Sequence, residues 1–486
     1  MPRYNFQTTF KEDLFPYRSE INISKEKISN MEQIFEKIYK KKEESPNIYG
    51  TATEIANIIN EQLDIHLEGD YMGFSLAHPF IVASGKHVRP GRKDKLRAIK
   101  LRSREGWAGM IAKTGTGGDA YWPVMKNVDG EQFISGERGS CLSKQTYFDD
   151  YLNPSVQFGE SNSCPVIPSI ISGLPVKDFI KEWEDIINRV TSISSVFEAD
   201  LSPTKTKPMA EWMDFAELSS SMEQLKTDIT SLLKLHEGLV LKISGQVRPH
   251  LPAIIGEIIS QGEIDNQLKF TLFNREIGVQ LLPWIPAKVD TAIGGTALFH
   301  HNLKVLDTLF GKMQLQNHIQ MSYSGGITNG IKAFIVLGMT NATSIQIATA
   351  LMRQGGFSSL TRILGGFSLV WSWFAKKVDK EFGLDVYTLE KLNLVFHTPE
   401  ISEATAKFLL RPPKEYYAFV DGEVCNANCP VNPKFMNGCP ASNVCPTGAF
   451  FKENHGRNMS ILNERCIGCG NCGESCILGA INYIER

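Results

Sequence analysis

Cysteine is all but missing from most of this chain: of ten in 486 residues, only Cys141 and Cys164 precede residue 420. A disulfide-stapled fold is thereby excluded over that length. Both thiols read as buried structural groups, because neither has a demonstrable cation or histidine beside it to activate it. Long apolar runs are missing too. The most hydrophobic stretch, FSLVWSWFA at 367–375, falls far short of the roughly 20 residues that cross a bilayer, so no membrane span is expected. Neither sign of charge is in excess, with 51 basic residues against 53 acidic ones; nothing pulls the whole molecule toward nucleic acid or an anionic membrane. The opening MPRYNFQTTFKEDLF has neither the basic start nor the apolar core of a secretory signal, and a cytoplasmic location is expected. No G-x-G-x-x-G fingerprint is evident, so NAD(P)H chemistry is expected of a partner. TGTGG at 114–118 is no Walker loop, since the Lys-Ser/Thr is missing.

What is present is concentrated at the end. Eight cysteines follow residue 420: Cys425, Cys429, Cys439 and Cys445, then Cys466, Cys469, Cys472 and Cys476. The second group has the spacing C-x2-C-x2-C-x3-C of bacterial-type ferredoxins, in which three thiolates hold one 4Fe–4S cluster and the fourth reaches to another. Cys445 opens CPTGAF, the Cys-Pro that closes a ferredoxin half. This pattern pairs Cys466, Cys469 and Cys472 with Cys445, and Cys425, Cys429 and Cys439 with Cys476. The second set is looser, and zinc remains an alternative there, although His455 is the only histidine nearby.

Upstream, residues 1–66 read as a charged helical extension with apolar residues at three-to-four spacing; the lysine-rich run 37–42 reads as a solvated helix face. From about 67 to 385, eight apolar, β-branched runs alternate with amphipathic segments: PFIVASG, GMIAKTGTGG, VIPSIISG, SVFEADLSP, LVLKISG, KFTLFNR, IQMSYSGGI and SIQIATAL. That alternation predicts an α/β fold, a parallel (β/α)8 barrel whose chemistry sits on the loops after the strands. SYSGGITNG at 322–330 places bare backbone N–H groups before a helix, where phosphate can be cradled. It follows the seventh run, and barrels commonly bind phosphate after strands seven and eight. Residues 386–420 read as a linker and 421–486 as a small α+β ferredoxin-like domain.

In this order the runs resemble the FMN-dependent dihydroorotate and dihydropyrimidine dehydrogenases, and a barrel followed by a two-cluster domain resembles the iron–sulfur members. The resemblance covers about residues 70–385. It implies that Ala83, Ser84 and Gly85 pack on the flavin ring, that Lys113 and Thr114 lie under it, and that Lys242 approaches its N1–C2=O edge. It implies Asn274 beside the ring, and Gly294, Gly295, Ser324, Gly325, Gly326, Ala348 and Thr349 around the ribityl phosphate. A cation at that edge would stabilise the reduced, anionic ring.

Two departures qualify the likeness. The family's fourth strand ends in Asn-x-Ser-Cys/Ser-Pro-Asn, where the Cys or Ser moves a proton; here EADLSPTKT sets Asp200 at the Asn position and Ser202 before Pro203, one residue short. Ser202, Asp200 and Lys205 are the candidates for acid or base. The family's Asn-rich pyrimidine-reading segment is replaced by SGERGSCLSKQTYFDDYLN, so the substrate is expected to be a small molecule other than a standard pyrimidine. Lys86, His87, Arg89, Arg92, Arg248 and His250 could clamp an anionic one. The expected function is an oxidoreductase acting on CH–CH bonds, with electrons passing between two 4Fe–4S clusters and FMN. Its redox partner would be a ferredoxin or an NAD(P)H-oxidising flavoprotein subunit, and an oligomer is expected. The alternative is an electron-transfer subunit of a larger complex without substrate chemistry of its own.

Overall fold

The structure is a computed structural model. It describes residues 6–14, 21–45, 48–88, 90–91, 93–116, 127–128, 131–132, 147–171, 179–200, 218–243, 250–262, 267–273, 276–277, 292–293, 299–313, 315–348, 350–351, 356–396, 398, 416–422, 425, 441–442, 445, 448–452, 459–466, 472 and 480–485.

Three helices come first, Phe6–Leu14, Lys25–Glu44 and Ala52–Leu63. The second opens on Ser24, whose hydroxyl accepts from Lys27 N at 3.3 Å, satisfying one of the free donors of a helix start. Ile28, Met31, Phe35 and Ile38 form its buried stripe. Four residues past Ile38 stands Lys42, which the same stripe carries into the interior while Lys37, Lys40 and Lys41 stay exposed. The solvated reading of the lysine run therefore fails at Lys42. The first helix stacks Phe6 on Phe10 with ring centres 5.4 Å apart. Its Asp13 is buried and accepts from Arg362 Nε at 2.9 Å and from Asn329 Nδ2 at 3.4 Å.

Every one of the eight apolar runs supplies strand to one parallel sheet that nearly closes into a barrel. Its ladder runs through 115–116, 169–171, 197–200, 239–242, 268–272, 319–324, 342–347, 80–82, 110–111 and 166–167. Both ends of that order lie on the same two passes of chain. Pro168 divides 166–167 from 169–171 because it has no N–H to donate, yet its carbonyl still accepts from Glu198 N at 2.8 Å.

Register decides which side chains point inward, since successive residues of a strand alternate faces. Glu198 pairs with Ser169 and with Val240, and Asp200 pairs with Lys242. Lys242 pairs with Thr271, Ser324 with Gln346, and Gln346 with Ile81. One face thus carries Ser169, Glu198, Asp200, Lys242, Thr271 and Gln346 beside apolar residues. Those apolar residues, Ile81, Ile111, Ile167 and Val240, pack with Tyr71, Met72 and Leu76 of the antiparallel hairpin 69–76. The opposite face lies under helices in the main core, where Trp107, Trp183 and Trp371 are fully buried.

The stretch expected as a linker holds regular structure at both ends. Helix Leu389–Phe396 buries Leu392 in the main core, and strand Tyr416–Val420 pairs antiparallel with Ile481–Glu485. A second hairpin joins Phe450–Lys452 to Met459–Ile461.

Candidate functional site

Glu198 is fully buried and accepts from Lys242 Nζ at 2.9 Å and Ser169 Oγ at 3.2 Å on one oxygen. On the other it accepts from Gln346 Nε2 at 2.8 Å and Thr271 Oγ1 at 3.0 Å. Four donors for one carboxylate offset its desolvation, which otherwise costs several kcal/mol. Lys242, only 1% exposed, also donates to Gln346 Oε1 at 3.2 Å. An ammonium has three donors, and two of those of Lys242 are engaged among the described residues.

From this pair a line of hydroxyls leads outward. Ser169 Oγ lies 3.1 Å from Thr114 Oγ1, and Thr114 Oγ1 lies 2.7 Å from Ser84 Oγ. Thr114 also reaches Asp200 Oδ2 at 3.5 Å, at the outer end of the same strand as Glu198. Ser84 is half-buried, Asp200 buried, and Lys113 4% exposed. The Lys113 backbone is held by Tyr151, whose hydroxyl accepts from Lys113 N at 3.1 Å and donates to the Val88 carbonyl. Tyr147 accepts from Ser169 N at 2.9 Å.

The seventh strand ends at Ser324, and the two glycines after it adopt left-handed backbone, φ 131° at Gly325 and φ 80° at Gly326. A Cβ on Gly325 would lie 2.7 Å from Asn302 Nδ2 and from the Phe273 carbonyl. Tyr323 braces the turn, donating to the Gly325 carbonyl at 2.6 Å and accepting from Asn302 at 3.2 Å. Helix Gly330–Met339 then starts from Asn329, whose side chain accepts from Lys332 N at 3.0 Å. Gly325→Ala should therefore lower stability by about 2 kcal/mol or more through backbone strain and overlap; an unchanged denaturation midpoint would contradict the turn geometry.

In the tail, Cys445, Cys466 and Cys472 share a small core with Ala418, Ala441 and Ala449. Backbone N–H groups point at two of the sulfurs: Ala449 N to Cys445 Sγ and Ala418 N to Cys466 Sγ, each at 3.3 Å. Such hydrogen bonds to sulfur are one of the levers that tune iron–sulfur centres. Cys425 is half-buried, its N–H donating to the Asp421 carbonyl at 2.9 Å just past strand Tyr416–Val420. Among the described residues no group of three or more His, Cys, Asp or Glu side chains stands in a metal-holding arrangement. Cys469, Cys429, Cys439 and Cys476 lie outside those residues.

No family model matches the chain. It is similar to the electron transport protein HydN of Escherichia coli strain K12, 38% identical over 47 residues that make up 10% of this chain and 26% of the relative. The HydN proteins of Escherichia coli O6:H1 and O157:H7 match to the same extent. The likeness is to electron transport proteins. The chain spans about a quarter of the length of these relatives, as the 26% coverage shows.

Of the other sequence-derived candidates, Ala83 lies buried at the end of the first strand, with Gly85 and Ala348 half-buried in their loops. Ser202, Lys205, Asn274, Gly294, Gly295 and Thr349 lie outside the described residues, as do Arg89, Arg92, Arg248 and Cys141. His87 stands in the single turn 86–88, and His250 immediately precedes helix Leu251–Ser260. Cys164 is a structural thiol: its Sγ contacts the Trp107 carbonyl at 3.3 Å, and burial pushes its pKa up to about 12. Sequence reasoning missed Glu198, Thr271 and Gln346. Their signal was a polar residue inside an apolar strand run, two positions from a residue already singled out in the case of Glu198. No helix of the described residues is long and apolar enough to cross a membrane.

Proposed function

We propose that the chain is an iron–sulfur flavoprotein oxidoreductase that passes electrons between two 4Fe–4S clusters and FMN and reduces, or forms, an activated C=C bond of a small, anionic substrate. The observation that carries the reading is the gathering of Cys445, Cys466 and Cys472 in one core, with backbone N–H groups directed at two of their sulfurs. These are three of the four ligands that the C-x2-C-x2-C spacing and the Cys-Pro at Cys445 assign to one cluster. The likeness to an electron transport protein supports the same direction.

The barrel residues fit a flavin. The bare Gly325–Gly326 turn ahead of a capped ten-residue helix suits a ribityl phosphate. Lys242 would turn its third donor to the ring's N1–C2=O edge, and Ser84, Thr114 and Lys113 would line its bed. FMN would supply hydride transfer and a junction between one-electron and two-electron chemistry. This chain's own residues would orient it, keep water from its inner face and hold protons nearby. Asp200, hydrogen-bonded by the Thr114 hydroxyl, is one acid–base candidate, with Ser202 and Lys205 on the loop that follows. We read the nearly closed ladder as a (β/α)8 barrel and the tail as a ferredoxin-like domain that receives electrons from a partner protein.

A second reading is an electron-transfer subunit without substrate chemistry, favoured by the match to an electron transport protein and by EADLSPTKT, which falls one residue short of the family's proton-moving motif. Flavin content tests the first requirement of both. Acid release should give one FMN per chain, identified by its fluorescence and mass; a chain purified with its iron intact but no FMN would remove the flavin from the account. Turnover of unsaturated acids with reduced ferredoxin then separates enzyme from carrier.

A further inference from the structure

Lys242 is held by two groups of different charge, Glu198 at 2.9 Å and Gln346 at 3.2 Å, and these two are themselves bonded at 2.8 Å. The three side chains come from the strands 197–200, 239–242 and 342–347, so the barrel itself fixes their mutual positions. Thr271 adds a further tie, donating to Glu198 at 3.0 Å and accepting from Gln346 Nε2 at 3.1 Å. Nothing in this network is exposed, and solvent does not screen it. A charge change of one unit here would be felt at any ligand bound beside Lys242.

We infer that Glu198 and Gln346 are positioning residues that aim Lys242 at the ring edge and set how much of its positive charge the ring feels, so that Glu198 holds down the reduction potential of the bound flavin. This rests on the reading that FMN occupies the barrel. Reduction places negative charge on the N1–C2=O edge, and an ammonium there favours the reduced ring. The buried carboxylate opposes that effect by neutralising the ammonium. The network is therefore a charge balance of plus one against minus one. Either arm can be altered with little change in side-chain volume.

The two substitutions have opposite signs. Glu198→Gln removes the negative charge, leaves Lys242 uncompensated, and should bind reduced FMN at least tenfold more tightly relative to oxidised FMN, a rise of about 30 mV in the two-electron potential. Lys242→Met, close in volume, removes the ammonium and should shift the ratio at least tenfold the other way. A purely structural role would weaken both forms of the flavin alike in both variants and move neither potential. The measurement is an anaerobic dye-coupled titration of the holoprotein, reading flavin absorbance, with thermal denaturation to show that each variant folds. If Glu198→Gln fails to fold, Glu198→Asp, which draws the carboxylate back from Lys242 by one methylene, carries the test through a smaller shift of the same sign. Bound flavin with unmoved potentials, or shifts of one sign in both variants, overturns the proposal. Wild-type protein that binds no FMN overturns the underlying reading instead, and the two failures are told apart by the flavin content of the wild type.

Discussion

The protein should lose about 4–5 kcal/mol of stability as pH falls from 10.5 to about 7 through Lys42 alone, and Lys42→Met should lose none of that component. Lys42 Nζ is buried with no hydrogen-bond partner among the described residues, and it faces the Phe357 ring at 4.7 Å. Burial pulls its pKa from 10.5 to about 7, Arg104 adding to the effect while Glu105 and Glu54 oppose it. Above 10.5 the amine is neutral whether the chain is folded or not. Between 10.5 and 7 only the unfolded chain takes up the proton, so stability falls with falling pH; below about 7 both states hold it and the loss stops. His78 adds a separate decline in acid. Buried, and donating from Nε2 to the Gly106 carbonyl at 2.9 Å, it is pulled from 6.5 to about 4. Its contribution is lost as pH drops through that range. Urea midpoints at pH 9.5 and 7.5 isolate Lys42. The gap between Lys42→Met and wild type should widen by about 2–3 kcal/mol at the lower pH, and an equal gap at both values would contradict the buried amine.

Removing thiolates should remove iron in blocks of four. Cys445→Ser, Cys466→Ser and Cys472→Ser should each leave about four of about eight irons, and any pair of these three should leave the same four, because all three belong to one core. Cys425→Ser should remove the other block, and its combination with Cys445→Ser should remove both. Iron and acid-labile sulfide measured after anaerobic purification decide it. Loss of all eight irons on pairing Cys445→Ser with Cys466→Ser would separate those two cysteines and break the assignment.

The strands were legible because each of the eight runs is short, rich in apolar and β-branched residues, and bounded by glycine, proline or an amphipathic segment, and each supplied strand to the one sheet. The glycine turn was legible because Gly325 and Gly326 stand between a strand and a helix, where the backbone takes positive φ at both and a Cβ on Gly325 would meet Asn302 and Phe273. The charged network inside the barrel was not. A glutamate in FEAD or a glutamine in IQI carries no information about which face it occupies until register joins strands far apart in sequence, as it joins Glu198 to Gln346. Lys42 was hidden by its own neighbours. Three adjacent lysines argued for solvent, and only the stripe from Ile28 through Ile38 shows that the fourth turns inward. Tyr147 and Tyr151 were taken as part of a replaced recognition loop; their hydroxyls instead secure the backbone of Ser169 and Lys113, a task that any phenol in that place could do and no motif marks.

The central claim is that the cysteine tail carries inorganic clusters that exchange electrons with the barrel. Low-temperature EPR of anaerobically purified protein after dithionite reduction tests it most directly. The account predicts two interacting reduced 4Fe–4S signals and about eight irons with matching sulfide per chain, bleaching together with the flavin absorbance. A preparation that holds stoichiometric zinc, gives no EPR signal on reduction and contains no labile sulfide would contradict it.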